Sequence, residues 1–229
     1  MWKNPGMSAV PMSTQEQLVR VGERLFAQHG LDGVSLRQIG VAAGNANNSA
    51  VQYHFGSKDQ LVRAIFEYRL PRLHARRALL IEQAPPGDLR AWVECQARSV
   101  LEQGELDDSH YAGFLTVLHH YGRSDVFEPL PEPFAGNSRA YFDHLRSLLP
   151  HLPEPLRGHR VSRAMNLVVH TAADRERRRA AGAPLLPFAI EVESVVDGLV
   201  GFLEAPASAR SLATLDDVAH AEPAWPLGV

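Results

Sequence analysis

Between residues 45 and 58 the chain gathers side chains suited to reading a polar surface: Asn45, Asn47, Asn48, Ser49, Gln52, Tyr53, His54 and Lys58. Short amide and hydroxyl groups can bond the base edges of DNA without bulk, and Asn or Gln can pair both edge atoms of adenine. Tyr53, His54 and Lys58 are donors beside two expected helix starts, where free N–H groups and the helix dipole also attract phosphate. Ser35 and Arg37, slightly upstream, complete the candidate DNA-contacting set. A helix beginning near Asn48 would put Ser49, Gln52 and Tyr53 on one face, at i, i+3 and i+4.

Positioning such a face requires a scaffold, and the flanking pattern supplies one. From Gln15 the apolar period is helical, with Leu18, Val21, Leu25 and Phe26 on one stripe and Gly30 at its end. Ser35-Leu36-Arg37-Gln38 has capping-box spacing and opens a short helix to Ala43, which Gly44 stops. Asn48 or Ser49 caps the next short helix, which ends at Phe55. Ser57 to Gln60 is a second capping box, opening a long helix past Pro71 towards Gln83. Two short helices about a glycine turn, backed by an amphipathic helix, form a helix-turn-helix whose second helix can enter the major groove.

Leu25-Phe26-x-x-x-Gly30, Ser35-x-x-x-Ile39, Ala43-Gly44 and Tyr53-His54-Phe55-Gly56-Ser57-Lys58 together resemble the DNA-binding domain of the TetR family of bacterial transcriptional regulators. The resemblance covers residues 14–66 and is dense, spreading over four helices. It implies a homodimer bound to operator DNA, with a C-terminal domain that takes up a small molecule and then releases the DNA. One departure stands out: Asn45 to Gln52 is a longer turn than the family commonly carries, which leaves open which residue begins the recognition helix.

The rest of the chain reads as an all-α fold of about nine helices. Expected domains are 14–66 for DNA binding, 67–204 for effector binding and dimerisation, and an irregular tail over 205–229. Asp88 should cap one helix, and Asn137 or Ser138 another. Two amphipathic stripes close the fold. Their residues Val161, Met165, Val168, Val192, Val195, Val196, Leu199 and Phe202 are the expected dimer interface, as a four-helix bundle. Trp92, Cys95, Phe114, His120, Tyr121, Phe142, Met165 and His170 are the effector candidates, which favours a largely apolar or aromatic ligand. Ordinary core packing is the competing reading for each of them.

Composition narrows the alternatives. The 229 residues are 45% hydrophobic and 21% charged, which suits a globular core. No apolar run reaches membrane-spanning length and no leader pattern precedes the fold, so a cytoplasmic protein without membrane contact is expected. One cysteine excludes a disulfide framework, and the eleven histidines show no metal-ligand spacing, so neither metal nor cofactor is expected. The net charge of −3 argues against a broad polyanion-binding surface. From Ser13 to Arg63, five basic residues face four acidic ones, and Arg69, Arg72, Arg76 and Arg77 add basic character nearby. Arg175, Arg177, Arg178 and Arg179 fit the C-terminal dipole of a late helix. No catalytic motif is present, which weighs against the rival readings of an all-α enzyme or a small-molecule carrier; a transcriptional activator is the nearer alternative.

Overall fold

The computed structural model describes residues 12–44, 50–106, 109–120 and 134–215. They form ten helices: α1 (Thr14–His29), α2 (Leu36–Ala42), α3 (Ala50–Phe55), α4 (Lys58–Ile81), α5 (Leu89–Gly104), α6 (Tyr111–His120), α7 (Phe134–Ser147), α8 (Glu154–Ala180), α9 (Phe188–Glu204) and α10 (Ala209–Leu215). The described residues contain no strand, and none of their helices is long and apolar enough to cross a membrane.

Local chemistry sets most of these boundaries. Ser13 and Glu16 form a reciprocal capping box at α1. Ser35 and Gln38 do the same at α2, while the Ser57 and Asp88 side chains accept from Gln60 and Ala91 N–H to cap α4 and α5. Each such cap satisfies an orphan donor and contributes about 1 kcal/mol. Two expectations change. α7 begins at Phe134, so Asn137 and Ser138 lie inside it and neither is its cap; Ser138 is buried instead. Residues 209–215, expected to be irregular, form α10, so the helix count is ten.

α4 runs unbroken through Pro71, which lies on its exposed side. The proline removes the N–H that would reach the Glu67 carbonyl and its ring crowds that carbonyl, yet the helix continues, so Pro71 is not a helix boundary. The helix therefore extends from the N-terminal bundle deep into the C-terminal one. Buried side chains from Leu18 to Leu203 make one continuous core, with Phe26, Phe66, Tyr111 and Phe114 packed ring on ring where α1, α4 and α6 meet.

Charges are built into this junction. Glu23 of α1 is fully buried and accepts from Arg69 Nε and Nη2 at 2.6 and 2.7 Å. Arg76 donates to Glu102 and Arg77 to Gln96, both on α5. Three of the four arginines expected to add basic surface are thus engaged with α1 or α5. On α8, Arg175 is not a solvent-facing dipole partner either: it is buried and bonds Glu105, Glu191 and the Leu186 carbonyl.

Glu176, also on α8, is buried, and its carboxyl is pushed up to about 7, chiefly by burial, against bonds from Gly113, Ser109 and Ala112 that favour the charged form. The folded carboxyl therefore binds its proton more tightly than the unfolded one. That stability is present at low pH and is lost as pH rises towards 7, by about 3 kcal/mol in all. Urea midpoints should fall between pH 5 and pH 8 for the wild type, and much less for Glu176→Gln.

Candidate nucleic-acid interface

α2 and α3 are short, and what holds them is burial on one side only. Ile39, Ala43, Val51 and Phe55 are inside, and a Cβ added at Gly40 would stand 3.4 Å from Val51 Cγ2. Glycine at 40 therefore lets the two helices close on each other. Gly44 and Gly56 end them with φ of 70° and 73°, the left-handed region that other residues resist. With Val51 and Phe55 pinned inside, the residues between them must face out. Gln52, Tyr53 and His54 are all exposed, Tyr53 at 85%, and the Tyr53 and His54 rings meet edge to face at 5.3 Å.

Ser35 and Arg37 are exposed on the α2 side of the same unit. Gln52 donates to the Gly56 carbonyl at 2.6 Å, so its amide must turn from that bond to meet a base. Lys58 differs from expectation. It is half-buried, and its Nζ donates to the Leu31 carbonyl at 2.8 Å, fastening the α1–α2 loop to the start of α4. Asn45, Asn47, Asn48 and Ser49 lie outside the described residues, as does the cap expected for α3. Because Glu23 is buried against Arg69, the acid count of this domain overstates its surface charge by one.

The effector candidates do not converge. Trp92 stacks on Tyr141 at 5.6 Å between α5 and α7, with Phe142 half-buried beside Tyr141 and Cys95 buried nearby, its thiol pushed up to about 11 by burial. Phe114 belongs instead to the aromatic junction of α1, α4 and α6. Met165 is core, and His120 and His170 are exposed. Tyr121 lies outside the described residues. Two grooves of about 750 and 400 Å³ open on the surface, one beside Arg90, His151 and Glu204, the other beside Arg20, Arg24 and His110. Neither is lined by an expected effector residue.

A polar cluster went unread in the sequence. Arg77 is buried, donating to Gln96 Oε1 at 2.9 Å and Ser138 Oγ at 3.3 Å, near His74 and over the Tyr141 ring. Burial lowers its pKa. The one sign was its place on the buried stripe of α4, in register with Leu70, Leu73 and His74.

Seven of the eight expected dimer residues, Val161, Met165, Val168, Val192, Val195, Val196 and Leu199, are buried within the protomer, where α5, α8 and α9 pack together. They have no surface to offer a second copy. Phe202 is 42% exposed, under the Arg160 guanidinium.

The fold and this outward face define a protein with a helix-turn-helix DNA-binding domain joined to a larger helical domain. Residues 18–65 match the family model described as bacterial regulatory proteins, tetR family, and the N-terminal domain is a domain of that family. A transcriptional regulator from Rhodococcus sp. Rha1 is 22% identical over 83% of this chain and 96% of its own, with a TM-score of 0.54. The ketosteroid transcriptional regulator KstR2 of Mycobacterium tuberculosis is 16% identical over 86% of this chain and 98% of its own, TM-score 0.58. AmtR of Mycobacterium smegmatis is 16% identical over 93% and 98%, TM-score 0.53. These likenesses establish the shared fold. No curated protein matches the sequence.

Lys58 supplies the sharpest local test. Lys58→Met keeps the aliphatic stem but loses a charge-assisted bond to Leu31, so urea unfolding should show a loss of about 1–3 kcal/mol.

Proposed function

We infer that the chain is a homodimeric repressor acting in the cytoplasm, which binds operator DNA through α2 and α3 and leaves it when a small molecule enters the C-terminal domain. The observation that carries this reading is the outward triplet Gln52, Tyr53 and His54, held by buried Val51 and Phe55 in a domain of the tetR family. Asn45, Asn47, Asn48 and Ser49 extend the reading surface, and Ser35 and Arg37 meet phosphate. Lys58, besides holding the Leu31 carbonyl, keeps two ammonium donors that can meet phosphate at the start of α4.

The effector is a small, largely apolar or aromatic molecule, seated against the Trp92, Tyr141 and Phe142 rings between α5 and α7. KstR2 carries a ketosteroid in its description, and an apolar ligand of that general character suits those rings. Dimerisation uses the outward sides of α8 and α9, since the inward sides are covered. Leu167 and Ile190 are 50% and 54% exposed there, and Gly198 and Gly201 face open space where a partner helix could approach closely.

Selection of bound duplexes from a random-sequence library tests the reading: enrichment of a two-fold symmetric site supports it, and recovery of no preferred sequence overturns it. On the selected duplex, Tyr53→Ala should cost about 1–3 kcal/mol of binding and leave the melting temperature unchanged, because the side chain contributes nothing to the core. Leu167→Arg together with Ile190→Arg should give monomers in sedimentation at micromolar concentration. A persistent dimer would rule out this face.

A further inference from the structure

The first turn of α6 is held by carboxylates from two different helices. Glu176 of α8 accepts from Ser109 Oγ at 2.9 Å and from the Ala112 and Gly113 N–H groups at 3.2 and 3.0 Å. Glu23 of α1 accepts from the His110 N–H at 2.9 Å while also receiving Arg69. The space is fully used: a Cβ at Gly113 would stand 3.3 Å from Ala27 Cβ and 3.7 Å from Glu176 Oε2. One short stretch, 109–113, thus touches the helix that backs the helix-turn-helix and the longest helix of the C-terminal domain.

We propose that Glu176 is a positioning residue for DNA binding: its charge sets the balance between this closed joint and an opened, hydrated one that holds α1 less firmly. The inference rests on the regulator reading above. Glu176 is 6% exposed, and a carboxylate withdrawn from water favours any arrangement that rehydrates it. The three donors offset part of that cost, and Glu23 adds repulsion from α1. Facing Glu176 are Arg69 from α4, Ser109, Ala112 and Gly113 at the entry of α6, and Gly104 at the end of α5. Glu105, which follows Gly104, is bound by Arg175 and Arg179 of α8. With the carboxyl pushed up to about 7, the closed joint binds the proton that the opened joint releases, so rising pH favours opening. The closed joint holds α1, which backs α2 and α3, and in the repressor reading a firmly held α1 is what DNA binding requires.

The test uses the full chain and the duplex selected above, with affinity measured by fluorescence anisotropy from pH 6 to pH 8 at fixed ionic strength. Glu176→Gln, like the protonated carboxyl, keeps an oxygen for the Gly113 N–H and offers a donor to Ser109 Oγ while giving up the Ala112 bond, so it holds the joint at one setting at every pH. The ratio of wild-type to variant dissociation constants cancels the histidine titrations the two proteins share. It should be near one at pH 6 and at least about fivefold by pH 8, the wild type being weaker. A flat ratio overturns the proposal, even if the variant's stability changes. Should Glu176→Gln not fold, Gly113→Ala presses a methyl towards Ala27 and loosens the same joint: a ratio of variant to wild-type dissociation constants that falls towards one as pH rises supports the proposal, and a ratio independent of pH overturns it. If no duplex is selected, the regulator reading fails, and amide hydrogen exchange of α1 decides the inference separately. Faster exchange in the wild type than in Glu176→Gln at pH 8 but not at pH 6 supports it, and equal exchange at both overturns it.

Discussion

The buried pair between Glu23 and Arg69 is the constraint on which the relation of the two domains depends. Glu23 is fully buried, and its two oxygens take three donors, two from α4 and one from the start of α6. Such a pair adds little net stability compared with well-packed apolar residues, because desolvation cancels most of the attraction. Its strength lies in asymmetry. Removing one member strands a charge away from water at about 3–5 kcal/mol, so arrangements that separate α1 from α4 are strongly disfavoured. The pair fixes geometry more than it adds stability.

α6 is the element that this geometry ties to both domains. It packs on α1 through Phe114 against Phe26, and it also lies along α8. The aromatic junction with Phe66 and Tyr111 is apolar except at one point: the Tyr111 hydroxyl is buried without a partner. A close-packed core transmits displacement because it has few voids to absorb it. The two domains share that core, so a shift of α6 cannot be confined to the C-terminal side. In the regulator proposed above, α4, tied to α1 by the Glu23–Arg69 pair, is the stiff connection of a lever, and α6 is the one that moves.

How much of this was legible varies with the range of the interaction. The helix-turn-helix was readable because its determinants are local: caps at Ser35 and Ser57, glycine stops, and apolar anchors spaced by one helical turn. The start of α1 was equally local, and the Ser13-to-Glu16 spacing was the signal that went unread. Arg69, Arg76 and Arg77 were harder. Their partners lie 46, 26 and 19 positions away, and a charged residue on an apolar stripe looks the same in sequence whether it faces water or a distant carboxylate. The dimer stripe shows the same limit from the apolar side. Periodicity reports how much of a helix is covered, never by what, and α5 and α8 of the same protomer cover α9.

The same accounting bears on how this domain could discriminate among DNA sequences. Of the basic residues near α3, Lys58 is committed to the Leu31 carbonyl and Arg69 to Glu23, while Arg76 and Arg77 reach into the C-terminal domain. Arg24, Arg37 and Arg72 remain exposed, so the phosphate neutralisation that gives sequence-independent affinity and its steep salt dependence rests on a few cations. In the proposed regulator, the neutral amide, phenol and imidazole of Gln52, Tyr53 and His54 meet base edges and add sequence preference to that phosphate attraction. Each helix presents only a few such groups, and doubling them by two-fold pairing is the physical way to raise affinity without adding charge. In the homodimer proposed above, the internal use of the arginines and the pairing of two copies are two sides of one electrostatic arrangement.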